Sequence, residues 1–206
     1  MRIFVALDIE EEIRTRIARF MDGIRGFVPD ARWVRPESLH VTLKFVGEKP
    51  PEFAEEMKIA LAAIKLPSFE IAFRGYGFFP NPNSPRVFWV GIEAGSSLAE
   101  LAGCVDVALT KLGLEKEEHV YSPHLTLARG GGRSGSPHRQ KGDAPNGIFG
   151  ELQRRLSAMR VPEFGSMTAT EFFIYQSHTG RGGSQYTKIE RFAIKSTTHK
   201  EASQTQ

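Results

Sequence analysis

Residues 40–43 read His-Val-Thr-Leu, and the pattern returns as His-Leu-Thr-Leu at residues 124–127. In a β-strand, residues i and i+2 lie on the same face. Each histidine therefore stands beside its threonine, while the two apolar residues of each motif face the other way. The apolar faces are predicted to be buried in a core, and the polar faces to meet water or a cleft.

The surroundings of the two motifs also repeat. The motifs are 84 residues apart, because 124 − 40 = 84. The same offset carries segment 4–6 (Phe-Val-Ala) onto 88–90 (Phe-Trp-Val), and an amphipathic segment at 10–24 onto 94–108. Any chain of helices and strands shows some chance matches, but an offset that aligns strand, helix and motif together predicts an internal duplication with pseudo-two-fold symmetry. Folding the halves together would bring both polar faces across one cleft.

Hydrophobic periodicity predicts strands and helices along the whole chain. Apolar residues at helical spacing, with acidic residues in the first turn, predict a helix over residues 10–24. The predicted strands cover residues 3–9, 32–34, 40–46, 70–78, 86–93, 123–129, 167–175 and 185–194, and the other predicted helices cover 51–65, 96–112 and 148–160.

The composition is that of an ordinary globular protein. The 206 residues are 40% hydrophobic and 25% charged, and no apolar run approaches the roughly 20 residues that a membrane-spanning helix needs. The first apolar segment is too short for a signal peptide and runs into charged residues, which predicts a cytoplasmic protein without a membrane partner. The net charge of +3 suits a phosphate-bearing partner without requiring one. We expect a monomer.

The single cysteine, Cys104, excludes an internal disulfide and a cysteine-based zinc site. It falls in a helical pattern with Leu98, Leu101, Ala108 and Leu112. Because free cysteine is among the most often buried residue types, the pattern predicts that Cys104 packs in the core and is not a reactive thiol.

Residues 130–147 interrupt the correspondence between the halves. They contain six glycines and no large apolar residue, which predicts a flexible loop. A solvated excursion is the simpler interpretation, and a mobile basic flap near the site is the alternative. The residues behind that alternative are Arg133, His138, Arg139 and Lys141. A single bilobal domain is predicted at 1–195, followed by a polar tail at 196–206.

Two imidazoles across one cleft suit in-line displacement at phosphorus. One group must take a proton from the attacking oxygen while another protonates the leaving oxygen, and histidine can do either near neutral pH. The hydroxyls of Thr42 and Thr126 can donate to the non-bridging phosphate oxygens. Arg129, two residues after Leu127, can add a bidentate grip on the phosphate. One His-x-Thr motif alone is usually a structural pair, so the second copy is what favours catalysis.

A metal site is an alternative use of the histidines. His40, His119 and His124 could form a three-histidine site, but no acidic residue accompanies the motifs at a recurrent ligand spacing. A serine hydrolase is disfavoured because the Gly-x-Ser-x-Gly motif is absent. We therefore expect no metal and no cofactor. The other histidines fall in predicted loops or the tail and are interpreted as solvated: His138, His178 and His199.

These motifs resemble the two-histidine phosphoesterase superfamily and, within it, the prokaryotic RNA 2′,3′-cyclic phosphodiesterases, also described as 2′-5′ RNA ligases. The resemblance covers nearly the whole chain and implies an α+β fold of two pseudo-symmetric lobes. In that fold antiparallel sheets line a central, positively charged cleft, and helices lie outside. The matching segments are 38–47 (SLHVTLKFVG), 122–129 (SPHLTLAR), 77–80 (GFFP), 85–89 (PRVFW) and 186–187 (YT).

The resemblance also implies an activity and residue roles. It implies hydrolysis of RNA 2′,3′-cyclic phosphodiester ends to 2′-phosphomonoesters, which the missing metal-ligand pattern predicts to be metal-independent, and members of the family also catalyse reversible 2′-5′ joining of RNA ends. It makes His40 the proton donor to the departing ribose 3′-oxygen and His124 the proton acceptor from water, roles that the symmetry of the motifs cannot assign by itself. The partner it implies is RNA with a 2′,3′-cyclic phosphate end, or a cyclic nucleotide.

Three other functions stay open at this point. The same chemistry could act on 2′-5′-linked oligonucleotides or on small cyclic phosphates, because the motifs contact the phosphate and not the body of the substrate. A binding module could hold a nucleotide or RNA end without turnover, although the full set of histidines, threonines and Arg129 favours an enzyme. An RNA-modification partner that uses only a basic groove would keep its function after loss of both histidines.

Overall fold

A computed structural model describes residues 1–130, 147–180 and 183–194 of the chain. Except near residue 170, the strands and helices follow the predicted order. The strands are β1 (Arg2–Leu7), β2 (Arg32–Trp33), β3 (Val41–Glu48), β4 (Phe69–Phe79), β5 (Val87–Glu93), β6 (His124–Arg129), β7 (Glu163–Ala169), β8 (Glu171–Gly180) and β9 (Gly183–Ala193), and the α-helices are α1 (Glu11–Ile24), α2 (Pro51–Ala62), α3 (Ser97–Thr110) and α4 (Gly150–Ser157).

The strands form two antiparallel sheets, with the orders β3-β1-β8-β9 and β2-β6-β5-β4-β7. Three strands correspond between the sheets: β3-β1-β8 in the first and β6-β5-β4 in the second, each with a motif strand beside its middle strand. β4 follows the first motif in the chain but joins the second sheet, and β8 follows the second motif but joins the first. The two halves of the chain are therefore interlocked. The predicted α+β architecture with antiparallel sheets is confirmed.

The core lies between the helices and the sheets. The buried side chains of α1 recur every three or four residues from Ile13 to Ile24, because the 3.6-residue period places them in one stripe. One large apolar cluster joins residues of both sheets and all four helices. A smaller cluster lies on the opposite face of the first sheet and consists of Phe4, Ala6, Phe173 and Tyr175, with Tyr186 packed against it.

The prediction of one strand at 167–175 is wrong, because two strands, β7 and β8, meet at Thr170. β7 pairs with β4 in the second sheet, whereas β8 pairs with β1 in the first. Both strands are extended, so the pattern of apolar residues does not show the change of partner strand. His178 consequently lies in β8 and not in a loop, although its side chain is exposed as predicted.

The prediction that Cys104 packs in the core is also wrong, because its side chain is exposed. Successive residues of an α-helix are rotated by about 100° around its axis, which places Cys104 roughly 110° around α3 from the middle of its buried stripe. It therefore faces away from the sheets. The buried residues of that stripe are Leu98, Leu101, Ala102, Val105 and Leu109.

Several sequence predictions fall beyond the part of the chain that the structure describes. Of loop 130–147, only Gly130 and Gly147 are described, and Gly130 N donates a hydrogen bond to Arg86 O at 2.7 Å. Within the described ranges, no helix is long and apolar enough to cross a membrane. The predictions outside the described residues concern Arg133, His138, Arg139, Lys141 and the tail 196–206 with His199.

Candidate active site

The two motif strands, β3 and β6, approach each other to within 8 Å between Cα atoms. On both strands the apolar motif residues are buried: Val41, Leu43, Leu125 and Leu127. The histidine and threonine of each motif are half-buried. The predicted division of each motif into an apolar and a polar face is confirmed.

Both imidazoles are held by the backbone just before them. His40 Nδ1 lies 2.7 Å from Ser38 O, and His124 Nδ1 lies 2.7 Å from Ser122 O. Because a carbonyl oxygen can only accept, Nδ1 carries the proton of the neutral ring and donates it in this bond. Nε2 is then the nitrogen that can exchange a proton with a ligand. The sequence did not predict these two hydrogen bonds, because any residue two positions before a histidine has the same backbone carbonyl.

A β-bulge at Leu127 sets the direction of Arg129. Residues 126 and 128 pair with the adjacent residues 89 and 88 of β5, and the register skips Leu127. Strict alternation would place Arg129 on the buried face of Leu127. The bulge shifts the alternation by one residue, so Leu127 and Ala128 are both buried and Arg129 returns to the face of His124. The charge of Arg129 acts on both imidazoles, so the structure brings these three residues together.

Aromatic rings surround both imidazoles. Their centroids lie between 4.8 and 6.4 Å from the centroid of the nearer imidazole. The sequence did not predict that these rings surround the imidazoles, because aromatic residues in strands are equally expected in a core. Three of them, Phe79, Trp89 and Tyr186, lie in segments that carry the resemblance. The rings are Phe4, Tyr175 and Tyr186 around His40, and Phe79 and Trp89 around His124.

Burial and positive charge lower the pKa of both imidazoles. For His40, burial and the charges of Arg129 and His124 lower the pKa from 6.5 to about 4. The carbonyl of Ser38 and the carboxylate of Asp8 act in the opposite direction. Burial and the charge of Arg129 also lower the pKa of His124. Both rings are therefore mainly neutral at pH 7 while no anion shares the site.

Arg129 lies among other cations. Arg32 is its cross-strand partner in the register of β2 and β6. Burial, with the charges of Arg32 and Arg2, lowers the pKa of Arg129, whereas Tyr186 raises it. Like charges opposite each other in a sheet are unfavourable. A bound anion would relieve this repulsion, and arginine grips the oxygens of a phosphate in bidentate fashion.

A buried ion pair fastens β3 to the second half of the chain. A bulge after Thr42 turns Lys44 to the core side, where its Nζ lies 2.5 Å from Asp106 Oδ1 of α3 and donates to Glu115 O at 2.9 Å. Tyr121 OH donates to Thr42 O at 2.9 Å. The first motif is thus bonded to the segment that leads into the second. Sequence reasoning missed this link, because strict alternation would place Lys44 on the polar face.

The three histidines considered for a metal site do not form a ligand cluster among the described residues. In the ranges 1–130, 147–180 and 183–194, no group of three or more His, Cys, Asp or Glu side chains could hold a metal ion. His119 is exposed in the segment before β6 and does not join the other two histidines in such a group. Besides the carboxylate of Asp8, the groups on the side of the imidazoles are the guanidinium of Arg129, the threonine hydroxyls and aromatic rings, which suit a phosphate ester.

Comparison with known proteins identifies the family. Residues 7–89 match the family described as LigT like Phosphoesterase. An RNA 2′,3′-cyclic phosphodiesterase of Archaeoglobus fulgidus is 32% identical over 192 residues, which cover 93% of this chain and 99% of that protein. The chain belongs to the LigT-like phosphoesterases. Another LigT-like relative, an RNA 2′,3′-cyclic phosphodiesterase of Escherichia coli, is 28% identical over 94% of this chain and 96% of that protein.

Solved LigT-like structures share the fold. A Thermus thermophilus protein has a TM-score of 0.73 at 26% identity, over 96% of this chain and 100% of that one. E. coli LigT complexed with 3′-AMP has a TM-score of 0.72 at 26% identity, over 94% of this chain and 97% of that one. The resemblance predicted from the two motifs is confirmed.

Proposed function

We propose that the chain hydrolyses RNA 2′,3′-cyclic phosphodiester ends to 2′-phosphomonoesters, with His40 and His124 as the acid–base pair. One observation carries the proposal: two imidazoles, each fixed through Nδ1, share a site with Arg129. The relatives named RNA 2′,3′-cyclic phosphodiesterase support the substrate class. The E. coli LigT structure with 3′-AMP supports a nucleotide monophosphate as a ligand.

Hydrolysis moves one proton off the attacking water and one onto the leaving oxygen. Nε2 of His124 takes the proton of the water as its oxygen bonds to phosphorus. The bond from phosphorus to O3′ breaks, and Nε2–H of His40 protonates O3′. The products are a 2′-phosphomonoester and a free 3′-hydroxyl. The hydroxyls of Thr42 and Thr126 donate to the non-bridging oxygens, and Arg129 neutralises their charge.

Asp8 is an acidic residue whose charge acts on His40. Its carboxylate raises the pKa of His40, against the lowering by burial. Arg14 and Lys188 hold that carboxylate at 2.6 Å each. No carboxylate in the described residues has a corresponding effect on His124. Burial outweighs this effect, since the pKa of His40 still falls to about 4 in the free site, so the assignment of His40 as the proton donor rests on the resemblance to the family.

The pH dependence should differ between the free and the substrate-bound protein. The active form carries one proton on the pair, and both pKa values lie below 6.5 in the free site. The profile of kcat/KM should therefore fall as the pH rises from the acidic range towards neutrality. A bound phosphodiester adds negative charge, which raises both pKa values and moves the kcat profile to higher pH. Rates at limiting and saturating cyclic nucleotide test this, and a kcat profile at lower pH than that of kcat/KM would contradict it.

Turnover of adenosine 2′,3′-cyclic phosphate should persist in excess EDTA, because the proton transfers and charge neutralisation come from side chains. The measurement compares initial rates before and after dialysis against the chelator, with separate additions of Mg²⁺, Mn²⁺ and Zn²⁺. Activity that disappears on chelation and returns with one particular cation would overturn the metal-independent mechanism. A pure binding module would show no turnover under either condition.

We also infer that residues 1–195 are one bilobal domain that arose by duplication. The bulge residues Leu43 and Leu127 are 84 residues apart, as are the two histidines. Matching Nδ1 bonds and matching strand orders support the same relation.

A further inference from the structure

The two motif strands belong to different sheets, so sheet hydrogen bonds do not fix one histidine relative to the other. β3 is the edge strand of the first sheet, and β6 lies in the second sheet between β2 and β5. The proposed reaction needs both imidazoles correctly placed around one phosphate, and a misplacement of about 1 Å can cost roughly 100-fold in rate. The separation of the two motifs therefore depends on contacts between the sheets.

The segments that lead into the two histidines are held differently. Before His40, the chain forms a short 3₁₀ helix (Pro36–Ser38). Arg14 Nη1 donates to a carbonyl at the start of this helix at 2.7 Å, and to one just after its end at 3.2 Å. Before His124, residues 114–123 form no regular helix or strand, and most of their side chains are exposed. The second motif therefore follows a segment with less support from regular structure.

Tyr121 links this segment to the first motif. Its hydroxyl donates to Thr42 O at 2.9 Å, and its ring packs against the large apolar cluster. Burial raises the pKa of Tyr121, so the hydroxyl keeps the donated proton at alkaline pH as well. The next residue is Ser122, whose carbonyl lies 2.7 Å from His124 Nδ1, and Thr42 lies two residues after His40. One hydrogen bond therefore joins the strand of the first imidazole to the residue beside the anchor of the second.

We propose that Tyr121 is a positioning residue that holds the two histidines at the separation needed for catalysis. The proposal rests on the proposed function and adds a residue that acts through the backbone of both motifs. The offset of 84 residues maps Tyr121 onto Glu37, which lies in the 3₁₀ helix where Arg14 supplies the hydrogen bonds. Loss of the hydroxyl keeps the aromatic ring but releases the segment before His124 from β3.

Tyr121→Phe removes only the hydroxyl and tests the proposal by kinetics. It should lower kcat for adenosine 2′,3′-cyclic phosphate roughly 10- to 100-fold, with a smaller change in KM, because every phosphate-binding side chain is still present. In a chain that already carries His124→Ala, the same substitution should change kcat less than about 2-fold, since no second imidazole is left to position. Ile17→Val is the matched control, because it removes one buried methylene group of α1 and also lowers the stability, and it should leave kcat unchanged.

Unchanged kcat in Tyr121→Phe would overturn the proposal, and so would an equal loss of kcat with and without His124, because the hydroxyl would then act independently of the histidine pair. NMR of the imidazole rings on the same samples separates this proposal from the proposed function. Tyr121→Phe should shift the ring signals of His40 and His124, whereas Ile17→Val should shift neither, and unchanged ring signals in Tyr121→Phe would overturn the proposal. Shifted signals in a chain that never hydrolyses the cyclic nucleotide would support the positioning role and contradict the proposed function alone.

Discussion

Replacing either His40 or His124 by alanine should lower kcat for a 2′,3′-cyclic nucleotide by about 10²–10⁴-fold. Each imidazole makes one of the two proton transfers, so the loss of either blocks the same step. The double variant should be little worse than a single variant, because residues that act as a unit are not additive. Rates at saturating substrate measure the effect, and thermal melting shows that each variant is folded.

His178→Ala is the matched control for these variants, because His178 is an exposed histidine on β8. It should keep the turnover of the unsubstituted chain. Near-normal turnover in the His40 or the His124 variant would remove that residue from the mechanism. A double variant far slower than both single variants would show that the two imidazoles act in separate steps.

Lys44→Met should lower the free energy of unfolding by about 3–5 kcal/mol. The side chains of Lys44 and Asp106 are only 8% and 13% exposed, so the substitution leaves a carboxylate buried without its counter-ion. That uncompensated charge costs more than the ion pair contributes. The double variant Lys44→Met/Asp106→Leu removes both charges and should recover most of the loss. Urea unfolding measures the free energy of unfolding of the unsubstituted chain, of Lys44→Met and of the double variant.

Lys58→Met provides the comparison for the buried pair. Lys58 pairs with Glu55 on the surface of α2, with side chains 27% and 70% exposed, and its loss should cost much less than the loss of Lys44, because water screens the charges. Equal destabilisation by Lys44→Met and Lys58→Met would mean that burial does not decide the cost. If the double variant is no more stable than Lys44→Met, the unpaired carboxylate of Asp106 is not the cause of the destabilisation.

Alternation along the motif strands correctly predicted the faces of the histidines and threonines but fails beyond Thr42 and Thr126. A β-bulge depends on how the neighbouring strand pairs, which the sequence of one strand does not show. Strict alternation would put Lys44 on the polar face and Phe45 in the core, and the structure has the reverse. For the same reason, spacing alone gave no geometric basis for placing Arg129 beside the imidazoles.

Elsewhere, the periodicity of apolar residues predicted the helices and strands better than it predicted which residues pack in the core and which strands pair. The helical pattern of α3 was correct, but Cys104 was assigned to the wrong side of it, because a stripe has to be centred on its most buried residues. The strands β7 and β8 were merged because a change of sheet at Thr170 leaves the chain extended. The 84-residue offset aligned the two motifs, yet it could not show that β4 and β8 exchange sheets.

The two-histidine mechanism is tested most directly by the product formed from an RNA oligonucleotide that ends in a 2′,3′-cyclic phosphate. The reaction is run in excess EDTA, and phosphorus NMR distinguishes a 2′-phosphomonoester from a 3′-phosphomonoester. We expect conversion to the 2′-phosphomonoester alone, because protonation of O3′ by His40 releases that oxygen from phosphorus. A 3′-phosphomonoester product, or hydrolysis that begins only after a divalent cation is added, would contradict the mechanism.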